Sequence, residues 1–214
     1  MKKIDFEQAR QFALERLENG LSPRFHYHSL LHTRDDVVLA TERLAIRSKI
    51  SGIEFKLLLT AAYFHDLGFT RLPDIDPRGN QHELLSAQFA QEVLPSFGYR
   101  EGHVEAIRSM IMATRLPQSP MNLLEEILAD ADLDSLGRQD FWERSQALRD
   151  EIAAFGNNST DLEWYQGQFN FLTSHRYFTA EARLLRNAQK KNNVDEIIQR
   201  LKILGVEVKY LFLV

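Results

Sequence analysis

The chain has 214 residues, 44% hydrophobic and 26% charged, which is enough for one large domain or two small ones with a buried core. Its net charge of −4 gives no overall attraction to nucleic acids or anionic membranes, and the absence of cysteine excludes disulfides and thiolate chemistry. The start, MKKIDFEQARQF, lacks the apolar stretch of a signal peptide, and no run suits a membrane helix. We therefore expect a cytoplasmic globular protein with no membrane or nucleic-acid partner.

The first two predicted helices lie at the start of the chain. Asp5 followed three residues later by Gln8 is typical of a helix start, and apolar residues then recur at helical spacing up to Gly20. A second helix is predicted over 29–48. The histidine-rich segment RFHYHSLLH precedes this helix and enters its first turn.

The third predicted helix, over 52–65, is the most apolar segment of the chain. Ser51 and Glu54 form a capping box that opens it. Apolar side chains occupy nearly every position before His65, and this pattern indicates a central, buried helix. A loop rich in Gly, Pro and Asp, GFTRLPDIDPRGN, follows the helix.

Helices are predicted through most of the remaining chain, with a different kind of segment at the end. Asn193 and Glu196 are candidates to cap the last helix. The tail 206–214, VEVKYLFLV, is β-branched and aromatic, and it fits a strand, a segment packed on the core or a contact in a homodimer. We predict a helical core over 1–155 and a C-terminal extension over 156–214, packed on that core within one domain or beside it. The further helices are predicted over 81–97, 101–115, 121–134, 138–155, 161–175, 180–191 and 194–204.

Histidine and aspartate recur at the edges of apolar helices. His28 and His32 are four residues apart and share a helix face, His65-Asp66 ends the third helix, and Asp132 follows an apolar stretch in ILADADLDSLG. Burying ionisable groups there is costly unless they are solvated or bind something. Imidazole and carboxylate together suit a divalent metal ion such as Mn, Fe, Co, Ni, Zn or Mg. A plain helix end closed by a glycine is the alternative interpretation of the His-Asp pair.

Taken together, these segments resemble the HD-domain superfamily of metal-dependent phosphohydrolases. The resemblance is carried, in the family's order, by His32 in YHSLLHT, His65 and Asp66 in AAYFHDLGF, and Asp132 in ADADLDSLG. The segment HELLSA is similar to a helix that often follows the His-Asp pair, and the likeness spans about residues 20 to 140. It implies an all-α HD-domain helical bundle, here with additional C-terminal helices and a short extended tail.

The resemblance also implies the ligands of a metal site. One divalent ion would be held by His32, His65, Asp66 and Asp132. Asp66 would bridge to a second ion if two are bound, and His82 stands where two-metal members have an additional histidine. Thr114 stands near the place where such members often have another ligand, so a complete two-metal set is not expected. Asp130 and Asp134 are candidates to hydrogen-bond a ligand histidine.

The function implied is metal-dependent hydrolysis of a phosphate ester, a nucleotide or another small phosphomonoester, by a metal-activated water. His28 corresponds to a histidine that faces the substrate in some relatives and can act as a general acid. Asp66 and Glu83 are the candidates for positioning the attacking water. Arg78 and Arg115 fall in predicted loops and suit phosphate oxygens.

Two alternative functions stay open from the sequence. The first is a non-catalytic HD module that binds a nucleotide or a partner, against which the complete set of four ligands argues. The second is a di-iron oxygenase, which would need a fuller two-metal ligand set. The sequence has no P-loop, dinucleotide fingerprint, GxSxG elbow or zincin HExxH motif, and this excludes the enzyme classes that use them.

Overall fold

The computed structural model describes residues 3–72 and 81–208. Within these two ranges the chain forms α-helices joined by short 3-10 and π-helical turns, without a strand. The predicted all-α fold is therefore confirmed. The helices are α1 (Phe6–Gly20), α2 (Val38–Arg47), α3 (Gly52–Phe64), α4 (His82–Val93), α5 (Glu101–Ala113), α6 (Leu123–Asp132), α7 (Phe141–Ala154), α8 (Asp161–Ser174) and α9 (Ala180–Ile203).

Helix α3 lies at the centre of the larger hydrophobic core. It packs against α1, α2, α5 and α6, and all residues from Leu57 to Phe64 are buried. Each fully buried large apolar side chain contributes roughly 1.5–3 kcal/mol, so this helix is a major source of stability. The prediction of a central third helix is confirmed. Although α3 is apolar on nearly every side, no helix in the described ranges is long and apolar enough to cross a membrane.

The second predicted helix contains a departure from α-helical geometry. Residues His32–Val37 form a π-helical turn in which the backbone amide of Val38 donates to the carbonyl of Thr33, and α2 follows directly. A π-helical turn adds a residue to the turn and is frequent at functional sites. Apolar spacing predicts a helix, but it does not tell whether each amide bonds to the carbonyl four residues back or five residues back. The sequence therefore did not reveal this turn.

The capping box predicted at Ser51 and Glu54 is not formed. Ser51 is the residue before α3, yet its side chain makes no capping hydrogen bond. The next residue, Gly52, has a φ of +62°, so the helix starts outside α-helical geometry and the expected amide is not presented to the serine. By contrast, Thr160 and Glu163 form a complete capping box at α8.

The last two predicted helices are one continuous helix, α9. The predicted cap at Asn193 and Glu196 is therefore wrong. Asn193 is buried inside the helix, and its side-chain amide donates to the carbonyls of Leu136 (2.9 Å) and Arg138 (3.0 Å). The asparagine thus satisfies backbone carbonyls in and after the 3-10 turn that follows α6. This is a tertiary contact, and the sequence pattern around it resembles that of a helix cap.

A second hydrophobic cluster joins α7, α8 and α9. It begins before residue 155, because Leu136 and Phe141 belong to it, and Gly137 approaches α9 so closely that a Cβ would lie 2.6 Å from the Arg186 carbonyl. The division at 155 and 156 stays a prediction. Arg78 and tail residues 209–214 lie outside the described residues. The buried members of the cluster are Leu136, Phe141, Leu172, Val194, Ile197 and Leu201.

Lys190 is a buried cation on α9. Its ammonium donates to the His175 carbonyl (2.7 Å), lies 2.9 Å from His175 Nδ1, and faces the ring of Tyr177 at 5.4 Å. Burial, together with the charge of Arg176, lowers the pKa of Lys190 to about 8. The lysine therefore fixes the α8–α9 connection through hydrogen bonds to a neutral partner.

This arrangement predicts a pH-dependent stability. Because the unfolded state binds the Lys190 proton up to pH 10.5 and the folded state only up to about 8, stability should rise with pH across that window. Relative to Lys190→Met, the wild-type free energy of unfolding should gain up to about 3 kcal/mol, measured by urea denaturation. The exposed Lys191→Met is the matched control and should follow the wild type. Parallel curves for wild type and Lys190→Met would contradict the prediction.

Candidate metal centre

Three segments bring the predicted ligands together. His32 begins the π-helical turn, His65 and Asp66 directly follow the buried helix α3, and Asp132 is the last residue of α6. Each end is fixed by core packing rather than by a mobile loop. His32, His65 and Asp66 are 1–3% exposed, and the Asp132 side chain is 20% exposed.

The imidazoles and carboxylates converge through four atoms. His65 Nε2 lies 3.2 Å from Asp66 Oδ2 and 3.4 Å from Asp132 Oδ1. His32 Nε2 lies 3.7 Å from Asp66 Oδ2 and 3.5 Å from Asp132 Oδ1. Each imidazole therefore faces both carboxylates across one small space.

The residues fit a divalent ion on chemical grounds. His32 Nε2, His65 Nε2 and Asp66 Oδ2 are buried and have no hydrogen-bond partner among residues 3–72 and 81–208, and each such atom costs roughly 1–3 kcal/mol. Ligand bonds of about 2.0–2.2 Å place neighbouring ligand atoms about 3–3.5 Å apart, close to the separations observed. His32, His65 and Asp66 form a group that could hold a metal ion. Asp132 Oδ1 lies 3.5 Å from the His32 ring nitrogen and 3.4 Å from that of His65.

The electrostatics of the cluster favour bound cations. Burial alone would lower the pKa of His65, but the Asp66 and Asp132 carboxylates raise it well above its usual range. Burial would raise the pKa of Asp66, but His65 and the other histidines around it lower it strongly. Burial would also raise the pKa of Asp132, but its hydrogen bonds with His32 and His65 lower it, so both carboxylates are ionised and stabilise positive charge in the space between them.

The ligand imidazoles are oriented by groups behind them. His65 Nδ1 donates to the carbonyl of Ala62 (2.8 Å), which directs Nε2 toward the two carboxylates, where its lone pair would bind a metal ion in place of a proton. His32 Nδ1 faces Asp36 at 3.9 Å, and Arg138 and Arg144 hold that aspartate at 2.7 and 3.2 Å. Asp36 was not predicted as a site residue, although its spacing of four residues from His32 was the available signal.

The two aspartates that flank Asp132 have other roles than the one expected. Asp130 accepts hydrogen bonds from the amides of Phe178 (2.7 Å) and Thr179 (2.8 Å). These are the two residues directly before α9, so Asp130 fixes the start of that helix. Asp134 is paired with two arginines, including Arg186 at 2.7 Å. Residues two apart do not share a helix face, so Asp130 points away from the ligand cluster.

The start of α4 lies against the other oxygen of Asp66. His82 Nε2 is 3.5 Å from Asp66 Oδ1, and the His82 ring stacks on Phe69 at 4.1 Å. Burial lowers the pKa of His82 to about 4, so its ring is in the neutral form that binds metals. Glu83 lies 3.4 Å from His82, and burial raises the pKa of its carboxyl.

His28 is held by a glutamate from the far end of the chain. Glu151, on α7, is fully buried, and it accepts from the amides of Tyr27 (2.8 Å) and His28 (2.9 Å). Its other oxygen lies 2.5 Å from His28 Nδ1. Burial would lower the pKa of His28, and the Glu151 carboxylate reverses this and raises it. No local signal could have identified Glu151, because it is 123 residues from His28.

A cavity of about 550 Å³ opens beside the cluster. His32 and His65 are absent from its lining, so they lie behind Asp66 and Asp132. Arg115 is exposed at the cavity, whereas the hydroxyl of Thr114 donates to the carbonyl of Ile111 (2.8 Å). The predicted site residues that line the cavity are His28, Asp66, His82, Glu83, Arg115 and Asp132.

Comparison with known families agrees with this geometry. The model of the HD domain matches residues 35–135, which include His65, Asp66 and Asp132 and begin just after His32. Residues 35–135 of the chain therefore form an HD domain. The recognition made from the sequence is confirmed, and the buried His-Asp pair of this HD domain is the one that ends α3.

Structural comparison extends the likeness beyond the HD domain. The crystal structure of a predicted HD superfamily hydrolase from an uncultured Thermotogales bacterium matches with a TM-score of 0.60 and 20% identity. The match covers 94% of this chain and 92% of that one, so the two proteins share a fold that includes the C-terminal helices. Comparison with curated proteins gives no match.

The geometry predicts which side chains are needed for metal binding. His65→Ala, Asp66→Ala and Asp132→Ala should each weaken Mn²⁺ or Co²⁺ binding by at least about 100-fold, because each removes a converging ligand atom. Calorimetric titration and elemental analysis of protein purified without chelator measure this loss, while circular dichroism checks that the helices persist. His26→Ala, an exposed histidine outside the cluster, is the control. Undiminished metal binding in the three variants would contradict the assignment.

Proposed function

We propose that this protein hydrolyses a phosphate ester with the help of a divalent metal ion, and that the substrate is a nucleotide or another small phosphomonoester. The observation that carries the proposal is the convergence of buried, unpartnered imidazole and carboxylate atoms beside a cavity of substrate size. Membership of a superfamily of metal-dependent phosphohydrolases supports the choice of phosphate. A net charge of −4 favours a small substrate over a nucleic acid.

The chain's own residues divide into holding and positioning groups. The ion would be held by His32, His65, Asp66 and Asp132. A divalent ion supplies Lewis acidity, which neutralises phosphate charge and makes hydroxide available near neutral pH. Glu83 lines the cavity beside Asp66, and its raised pKa suits a carboxylate that orients water and accepts its proton. Arg115, exposed at the same cavity, would bind a phosphate oxygen.

A second ion would have fewer ligands. Asp66 Oδ1 and His82 Nε2 face each other at 3.5 Å and would be its partners. Thr114, near the position where another ligand would stand, uses its hydroxyl for the Ile111 carbonyl. We therefore propose one tightly held ion, with any second ion bound more weakly, which argues against the di-iron oxygenase.

His28 is proposed as the general acid that protonates the leaving oxygen. Its Nδ1 faces Glu151, and it lines the cavity together with Asp66 and Asp132. The pairing with Glu151 directs the other ring nitrogen away from the glutamate and raises the pKa of His28, so the ring retains a proton to donate. Glu151 would then be a positioning residue, since it acts through His28.

The direct test is phosphate release by the metal-loaded protein. Protein supplied with Mn, Co, Ni or Mg should release phosphate from one or more small phosphomonoesters, and Asp132→Asn should lower kcat by at least about 1000-fold. Two irons per chain without phosphatase activity would favour the oxygenase. Ligand binding without metal or turnover would favour the non-catalytic HD module.

The proposed acid predicts a dependence on the leaving group. Glu151→Gln should lower kcat about 10- to 100-fold for glycerol phosphate, whose alkoxide leaves poorly without a proton, and by less than about threefold for p-nitrophenyl phosphate. Steady-state kinetics on the two esters measure the difference. Asp150→Asn, an exposed neighbour on α7, is the matched control. An equal loss on both esters would indicate a merely structural role for Glu151.

A further inference from the structure

The cavity has a second half that the proposed chemistry does not use. Beyond the metal-binding side chains, its walls are formed by α7 and α8 and by the 3-10 turn after α6. The residues that form these walls lie after residue 135, where the match to the HD domain ends. The residues that matter most are Leu136, Leu148, Ile152, Trp164, Gln168 and Phe171.

The spacing of these residues explains why they face the same space. Leu148 and Ile152 are four residues apart on α7, and Trp164, Gln168 and Phe171 lie at positions i, i+4 and i+7 on α8. Residues at these intervals share a helix face. Glu151, which contacts His28, lies between Leu148 and Ile152 on α7. This wall is therefore fixed relative to the proposed acid.

The chemistry of this half is apolar and aromatic with one amide. The indole nitrogen of Trp164 donates to Ser145 Oγ (3.2 Å), which orients the ring. Within the described ranges, the side chain of Gln168 makes no hydrogen bond, so its amide is available to a ligand. A flat ring with polar atoms at its edge satisfies both features, because it stacks on the indole and pairs with the amide.

We infer that the α7–α8 face binds the leaving group of the phosphate ester, and that this leaving group carries a flat aromatic ring. The inference rests on the proposed function, since it takes the ester to lie with its phosphate at the metal centre. A hydroxyl-rich leaving group would lose hydration against Leu148 and Ile152. A hydrocarbon chain would bury Gln168 without a partner. The ring could belong to a nucleobase or to a plain aryl group, and the test separates the two.

The first arm measures binding without turnover and uses the fact that the chain has two tryptophans. Trp142 does not line the cavity and packs under Arg200 at 3.9 Å, so Trp142→Phe leaves Trp164 as the single reporter, and Trp164→Phe leaves the other. The metal-loaded variants are titrated with adenosine, phenol and glycerol, the alcohols that hydrolysis would release. We expect saturable quenching by a ring-bearing alcohol in Trp142→Phe, and none in Trp164→Phe. Equal quenching in both variants, or in neither, would overturn the inference.

The second arm measures selectivity. Trp164→Leu should lower the ratio of kcat/KM for a ring-bearing ester, adenosine monophosphate or phenyl phosphate, to kcat/KM for glycerol phosphate by about tenfold, and Trp142→Phe should leave it unchanged. If the ring is a nucleobase, Gln168→Leu should lower kcat/KM for adenosine monophosphate more than kcat/KM for phenyl phosphate. If the ring is a plain aryl group, it should lower both values equally. A ratio that Trp164→Leu leaves unchanged would overturn the inference. If no ester is hydrolysed with any metal, the proposed function fails, and the quenching arm still decides whether this face binds a ring.

Discussion

The candidate site depends on the meeting of two imidazoles with two carboxylates at the ends of three helical segments. Asp66 is nearly inaccessible to water, and a buried carboxylate persists as an ion only beside positive or polarising groups. His65 supplies part of that compensation, and its own orientation is fixed by the Ala62 carbonyl. Three atoms of the cluster still have no hydrogen-bond partner in the part of the chain that the structure describes, so these residues alone do not satisfy them. The core places these groups at some cost in stability, and a bound cation would offset that cost.

The chain beyond the HD domain completes the site rather than merely following it. Glu151 reaches His28 from α7, while α8 closes the far side of the cavity. Asp134, paired with Arg43 and Arg186, connects the end of the ligand-bearing segment to α2 and α9. The candidate metal centre and the cavity beside it therefore belong to one packed structure, in which the candidate ligands come from segments up to the end of α6 and the far wall of the cavity comes from α7 and α8.

Patterns within a few residues predicted much of this fold, and contacts distant in sequence account for the errors. The apolar run before His65 predicted the central helix, and the ionisable pair that interrupts the run predicted a site at its end. Both signals lie within a few residues of each other in the sequence. The π-helical turn at His32 depends on hydrogen-bond register, which apolar spacing does not encode. Asn193 was misread as a cap, because its partners are carbonyls more than 50 residues away. Glu151 was missed for the same reason.

The backbone contact between the segments HDLG and HELLSA has a consequence for how the site can change. A Cβ at Gly68 would lie 2.0 Å from the His82 carbonyl, and the Gly68 amide donates to Ser86 Oγ at 2.8 Å. These contacts set the register of α4 against the His-Asp pair directly. The position of His82 beside Asp66 is therefore set by packing between two described segments, so a larger residue at Gly68 would displace the first turn of α4 and His82 with it.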